Sequence, residues 1–217
     1  MISIWELANP QLGGVTVYQP GKPIEETARE FGLDPNAIIK LASNENPLGP
    51  SPKAMEAMRD ALEKGHLYPD GGGHCLCNAV ATKLGFAPEN VILGNGSNEV
   101  LEFLGHAFLN PDDDVVTAQY AFVVYKLIAT SFGARTIEVP SPDYQQDLDG
   151  MLVAITPKTR LIFVANPKDH AQRVTLSFEI VQRLSPVWAD SRESTHGMQL
   201  TLDLDAYTVQ IWEAQCD

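Results

Sequence analysis

The chain has 217 residues, 44% of them apolar, enough to bury the core of one large domain or of one domain with an appendage. Asp and Glu number 28 against 15 Lys and Arg, and the formal charge of -13 repels a nucleic-acid backbone or an anionic membrane, since no basic patch offsets it. The opening MISIWELANPQLGG lacks the basic start and apolar core of a signal peptide. No stretch approaches the roughly 18 apolar residues of a membrane span, and three cysteines cannot build a disulfide framework, so a cytoplasmic location is expected.

Residues 1–50 are rich in Pro, Gly and Asn and, apart from the helical pattern of IEETAREF at 24–31, poorly periodic; they read as an arm lying on another surface. Ser51 is a good N-cap and Pro52 suits a first helical position, with Met55, Met58, Ala61 and Leu62 on one face before Gly65. A second helix fits residues 76–84, with Leu76, Ala79, Val80, Lys83 and Leu84 at helical spacing and Gly85 as its stop. Both helices are expected to offer one face to a core.

Val91-Ile92-Leu93 reads as a short buried strand leading into Gly94-Asn95-Gly96-Ser97-Asn98-Glu99. Val100, Leu101, Leu104, Ala107 and Phe108 then mark a helix that ends before Pro111. A strand at 115–118, a helix at 122–131, a strand at 135–139, a short helix at 148–155 and a strand at 160–165 follow. This alternation predicts a parallel α/β sheet covered on both faces.

In such a sheet, ligands sit at the carboxyl ends of strands, where helix N-termini offer unpaired N–H groups to anions. The turn at 94–98 has two glycines that let a ligand approach the backbone and a serine hydroxyl, which suits a phosphate. The same residues also suit an ordinary strand-to-helix turn capped by Ser97 or Asn98, and the dinucleotide fingerprint G-x-G-x-x-G is not satisfied. The His74-Cys75-Leu76-Cys77 cluster lacks a second ligand pair, so no metal site is expected.

Four ordered segments, KLASNENPLGPSPKAMEAM (40–58), HLYPDGGG (66–73), VILGNGSNEVLE (91–102) and ITPKTRLIFVANP (155–167), resemble histidinol-phosphate aminotransferases. These are fold type I enzymes that use pyridoxal 5'-phosphate (PLP). The resemblance runs from about Tyr18 to Pro167. It implies a three-layer α/β fold with the parallel-type sheet of a PLP-dependent transferase large domain, here incomplete, preceded by an extended N-terminal arm. The implied organisation is an arm at 1–50, a partial PLP-binding domain at 51–167 and a diverged tail at 168–217, with the C-terminal small domain absent.

The resemblance also implies roles. Gly96, Ser97 and Asn98 match the turn that holds the PLP phosphate, and Phe122 the aromatic that stacks on its pyridine ring. Tyr68 matches a tyrosine that reaches the phosphate of a neighbouring subunit's cofactor, which implies a homodimer. Tyr18, Asn44 and Glu45 match arm residues that close over a phosphorylated substrate. From the residues alone, Phe122 and Tyr68 also read as core aromatics and Asn44 as a turn residue.

After Pro167 the resemblance breaks. Where the family has a loop of the type NPNNPTG, this chain has NPKDHAQ, with no change of length up to Glu179-Ile180 and with Asp169 in place of an asparagine that donates to the PLP ring hydroxyl; a carboxylate there repels a phenolate. LTLDLDAYTVQ at 200–210 is similar to the strand whose aspartate pairs with the pyridinium nitrogen, and Tyr207 matches its tyrosine. The expected aspartate position holds Leu204, with Asp203 and Asp205 on either side. No lysine follows Lys168, so the Schiff-base lysine of the family is expected to be missing and the catalytic set empty. The readings left open are an aminotransferase chain inactive by itself, a non-catalytic remnant that binds a phosphate ligand or a partner subunit, and a nucleotide-binding α/β module.

Overall fold

The computed structural model describes residues 6–43 and 45–165 and, beyond them, the backbone of five strands between residues 172 and 216. The chain divides into two units, Val17–Leu93 and the combination of Met1–Thr16 with Gly94–Asp217.

The unit Val17–Leu93 holds three helices, α1 (Ile24–Phe31), α2 (Pro52–Leu62) and α3 (His74–Leu84). Each boundary has a local cause. Gly32 ends α1 in the left-handed conformation at φ 64°, its N–H donating to the Ala28 carbonyl. Pro52 opens α2 as expected, although the Ser51 hydroxyl makes no capping bond. α3 begins two residues earlier than its apolar spacing indicates, because Asp70 accepts from the N–H groups of Gly72 at 3.0 Å and His74 at 2.8 Å and so organises the entry. Those backbone donors also hold the Asp70 carboxyl below its ordinary range.

Burial in this unit corrects two expectations. The predicted apolar faces of α2 and α3 are largely exposed: Leu62 is 76% accessible, and Met58, Leu76 and Leu84 are exposed as well. α3 buries Ala81, with Cys77 and the expected Val80 half-buried beside it. Val91-Ile92-Leu93 is extended but is not a strand, and Ile92 is 70% accessible. An apolar triplet becomes a strand only when a neighbour takes up its backbone groups, and no described strand pairs with it.

The other unit is built around a sheet. Its elements are α4 (Ser97–Phe108), β1 (Asp114–Ala118), α5 (Val123–Ser131), β2 (Arg135–Val139), α6 (Leu148–Val153) and β3 (Thr159–Ala165). Then come the strands β4 (Gln172–Ser177), β5 (Val181–Trp188), β6 (Ser194–His196), β7 (Gln199–Leu204) and β8 (Val209–Cys216). The main sheet has the order β2-β1-β3-β8-β5, and β4-β7-β6 form a separate antiparallel sheet. As predicted, β1 runs parallel to β2 and β3, with Val116 opposite Ile137 on one side and Ile162 on the other. β8 and β5 extend the sheet antiparallel.

The continuous apolar runs of β1 and β3 are explained by two cores, one on each face. Val116, Ile162 and Val164 face Met151 of α6 and Ile155, while Val115, Leu161 and Phe163 face α4 and α5 through Leu101, Leu104, Val124 and Ile128. Alternate residues thus serve opposite layers, as strand geometry requires. α4 and α5 approach closely at Gly105, where an added methyl group would run into the Phe132 ring and the Ile128 Cγ2. The 3-10 turn Pro10–Gly14 packs on α5.

The amino end of the sheet is tied by a buried carboxylate. Asp114 accepts Arg135 Nε and Nη2 at 2.8 Å each and the Thr156 hydroxyl at 2.6 Å, while its N–H donates to the Lys158 carbonyl at 2.8 Å. One side chain therefore joins the starts of β1 and β2 to the segment before β3. The Arg135 guanidinium, with help from Thr156, holds the Asp114 carboxyl below the ordinary aspartate value.

Candidate functional site

The opposite end of the same sheet carries the candidate residues. α4 returns to the start of β1 through the short connection 109–113, so its N-terminus lies with the carboxyl end of β1, where Phe122 opens α5. Asn98 and Val124, the second residue of each helix, line one groove that runs along α4 and α5 as far as His106 and Phe132.

Gly96 is the N-cap of α4, at φ 76° and ψ 176°, a conformation open essentially only to glycine. Having no side chain, it makes no capping bond, and neither Ser97 nor Asn98 supplies one. Neither Ser97 nor Asn98 is therefore the cap of this helix. The protein uses the two N–H groups just before the helix itself: Asn95 donates to Glu99 Oε2 at 2.6 Å, and Gly96 to the Gly94 carbonyl at 2.9 Å. The N–H groups of Ser97 and Asn98 have no acceptor among the described residues, and both residues are exposed. A methyl group placed on Gly96 would meet nothing within 4 Å. Open space, free donors and the positive end of a 12-residue helix together make a seat for an anion.

Phe122 is 44% accessible, which rules out a core role. Its ring is fixed edge-on against Tyr125 at 5.8 Å, and Tyr125 stacks on Phe163 of β3 at 4.3 Å with the planes 3° apart. The chain of three aromatics connects an exposed ring to the middle of the core and limits its motion. Burial raises the Tyr125 phenol above its ordinary value, so it stays protonated through neutral pH.

The remaining expected residues are in the unit Val17–Leu93 or outside the described residues. Tyr68 is fully exposed, which also removes the core-aromatic reading there, and Tyr18 is half exposed. Glu45 accepts from Lys40 Nζ at 2.7 Å. Asn44, Asp169, Asp205 and Tyr207 lie outside the described residues. Three contributors were not found by reading the sequence: Glu99, Tyr125 and the Asp114 cluster. Glu99 had a signal, a glutamate three residues into a helix from its N-cap, which is the position of a capping-box acid. The Asp114 partners stand 21 and 42 residues away and leave no local mark.

The profile of the aminotransferase class I and II family matches residues 36–169, more than half of the chain. Histidinol-phosphate aminotransferase of Methylobacillus flagellatus is 52% identical over 169 residues, 78% of this chain and 46% of the relative. Histidinol-phosphate aminotransferase 2 of Nitrosospira multiformis is 44% identical over 87% of this chain and 48% of its own length. The chain therefore spans about half the length of the curated relatives it matches. Among solved structures, histidinol-phosphate aminotransferase from Sinorhizobium meliloti in complex with pyridoxal-5'-phosphate superposes with a TM-score of 0.61 at 26% identity, covering 70% of this chain and 39% of that one. Aspartate aminotransferase from Thermus thermophilus with maleate, at 24% identity and a TM-score of 0.60 over 75% of this chain and 45% of that one, shares the fold. The resemblance noted in four sequence segments thus extends to the α/β architecture, and the chain belongs to the aminotransferase class I and II family.

Proposed function

We propose that these residues form the phosphate-holding and ring-stacking part of a PLP-dependent aminotransferase of the histidinol-phosphate class. The reaction moves an amino group between L-histidinol phosphate or imidazole-acetol phosphate and glutamate or 2-oxoglutarate. The observation that carries the reading is the turn at 94–98, whose helix N-terminus leaves the Ser97 and Asn98 N–H groups in open space without acceptors among the described residues. The donor set fits a phosphate monoester: two backbone N–H groups, the Ser97 hydroxyl and a helix dipole, with no side chain in the way. Phe122 offers the cofactor ring a flat, exposed face held from behind by Tyr125. When bound, PLP supplies an electron sink for the carbon that carries the amino group. The protein's part here is to anchor, orient and shield one face.

Tyr18, Asn44 and Glu45 are assigned to the substrate side, and Tyr68 to the cofactor of a second copy in a homodimer. The full exposure of Tyr68 supports that assignment. A cytoplasmic setting fits the free thiols of Cys75 and Cys77. A second reading, phosphate-ligand binding without transamination, is favoured by one observation: Asp169 stands where the resemblance places an amide. In both readings the turn binds a phosphate, and we expect no turnover of histidinol phosphate by the 217-residue polypeptide alone.

Equilibrium titration of the 217-residue polypeptide with PLP and with pyridoxal, which lacks the phosphate, tests the shared claim. PLP should bind at least tenfold more tightly, a factor worth about 1.4 kcal/mol of phosphate contact, and inorganic phosphate should compete with it. Equal affinities would refute the phosphate turn. Turnover of histidinol phosphate would remove the second reading.

A further inference from the structure

Glu99 is the one acidic residue in the first turn of α4. A carboxylate at a helix N-terminus is ordinarily a stabilising feature, but at a phosphate seat it places a negative charge where a second one has to enter. The geometry explains its presence. In a capping box the acid at this helical position reaches back to the N–H of the N-cap. Here the N-cap is Gly96, whose N–H already donates to the Gly94 carbonyl, and Glu99 reaches one residue further. A single oxygen, Oε2, accepts both the Asn95 N–H at 2.6 Å and Asn95 Nδ2 at 3.0 Å.

Gly94 belongs to the same device. A methyl group there would lie 3.3 Å from that Oε2 and 3.0 Å from Val100 Cγ2, so glycine leaves the room in which the half-buried carboxylate folds back. The two N–H groups before the helix are thus held by the protein, whereas those of its first turn, Ser97 and Asn98 included, have no acceptor among the described residues. Without Glu99, the Asn95 N–H and side-chain amide lose their acceptor, and the glycine-flanked turn is released from its only side-chain tie among the described residues.

We propose that Glu99 is a positioning residue of the phosphate turn, fixing Asn95 and thereby the open conformation of Gly96-Ser97-Asn98, at the cost of a like charge beside the bound phosphate. The proposal rests on the phosphate-turn reading given above. Its two components can be separated, because both hydrogen bonds fall on one oxygen: glutamine can supply that acceptor without the charge, whereas alanine supplies neither.

The test uses the 217-residue chain, its Glu99→Gln and Glu99→Ala variants, and PLP, pyridoxal and inorganic phosphate as probes. E99Q should bind PLP at least as tightly as the parent, and E99A about tenfold more weakly than E99Q, the scale of two lost hydrogen bonds. Pyridoxal affinity should be the same in all three, which a general loss of structure would not leave intact. Amide hydrogen exchange without ligand gives an independent arm: Asn95 should exchange slowly in the parent and in E99Q and several-fold faster in E99A. If E99A and E99Q bind PLP alike, or if Asn95 exchange is the same in all three, Glu99 does not hold the turn. If the parent itself fails to prefer PLP to pyridoxal while Asn95 is protected, the phosphate-turn reading falls and this positioning role falls with it.

Discussion

The two units solve the problem of burial differently. Around β1 and β3, every residue from Asp114 to Ala118 is buried, and Leu161, Ile162, Phe163 and Val164 divide between two cores. In Val17–Leu93 the buried apolar residues are Ala28 and Ala81, while Leu41, Leu48, Leu62 and Ile92 are exposed. Yet α1, α2 and α3 are as well bounded as α4 and α5. Helix formation responds to caps, prolines and glycines within a few residues, whereas burial depends on what lies across from a face. Good helix boundaries are therefore no guarantee of a core.

Substitutions can break that contrast. The largest effect is expected from Phe163→Ala, which removes a fully buried ring stacked on Tyr125; about 3–5 kcal/mol should be lost in denaturant unfolding. Leu62→Ala, also a large-to-small change but at an exposed position, should stay within about 0.5 kcal/mol. Comparable losses at the two sites would mean that Leu62 is covered in solution.

Asp114→Asn should come next, at about 2–3 kcal/mol, because a buried carboxylate holding a guanidinium is replaced by an amide that cannot accept the same set of donors. Since the folded carboxyl titrates below its ordinary 3.8, its contribution is complete above that value and is lost as pH falls toward the lower folded one. Unfolding curves between pH 6 and 3 should therefore steepen their decline in the parent relative to the variant. Parallel curves would remove Asp114 from the acid response.

A smaller effect on stability, but a larger one on binding, is expected at the other end of the sheet. Gly96→Ala forces a side chain into φ 76°, ψ 176°, at about 1–3 kcal/mol, and should lower PLP affinity while leaving pyridoxal unchanged. Phe122→Ala should cost little stability because the ring is 44% accessible, and should weaken PLP and pyridoxal alike by about three- to tenfold. The two variants separate the phosphate contact from the ring contact.

Much of the sheet region was legible in the sequence. β1, β2, β3 and the helices between them lie within about two residues of their expected places, because glycines, prolines and apolar runs mark them locally. The glycine-flanked turn before α4 was legible for the same reason: Gly96 serves a positive-φ backbone conformation. What escaped was non-local. Val91-Ile92-Leu93 has the composition of a strand but no described pairing partner, and α3 turns Cys77 and Ala81 inward beside the expected Val80, leaving Leu76 and Leu84 exposed. Asp114, Arg135 and Thr156 meet only through the fold. Phe122 and Tyr68 could not be told from core aromatics until their exposure was known.

The phosphate seat proposed at the start of α4 can be probed at its own amides. Backbone amide chemical shifts of the 217-residue chain, followed by NMR as inorganic phosphate and then PLP are added, test it most directly. Saturable shifts are expected at the Ser97 and Asn98 N–H groups with both ligands, and added shifts around Phe122 with PLP alone. Unmoved Ser97 and Asn98 resonances with saturating shifts elsewhere would contradict it.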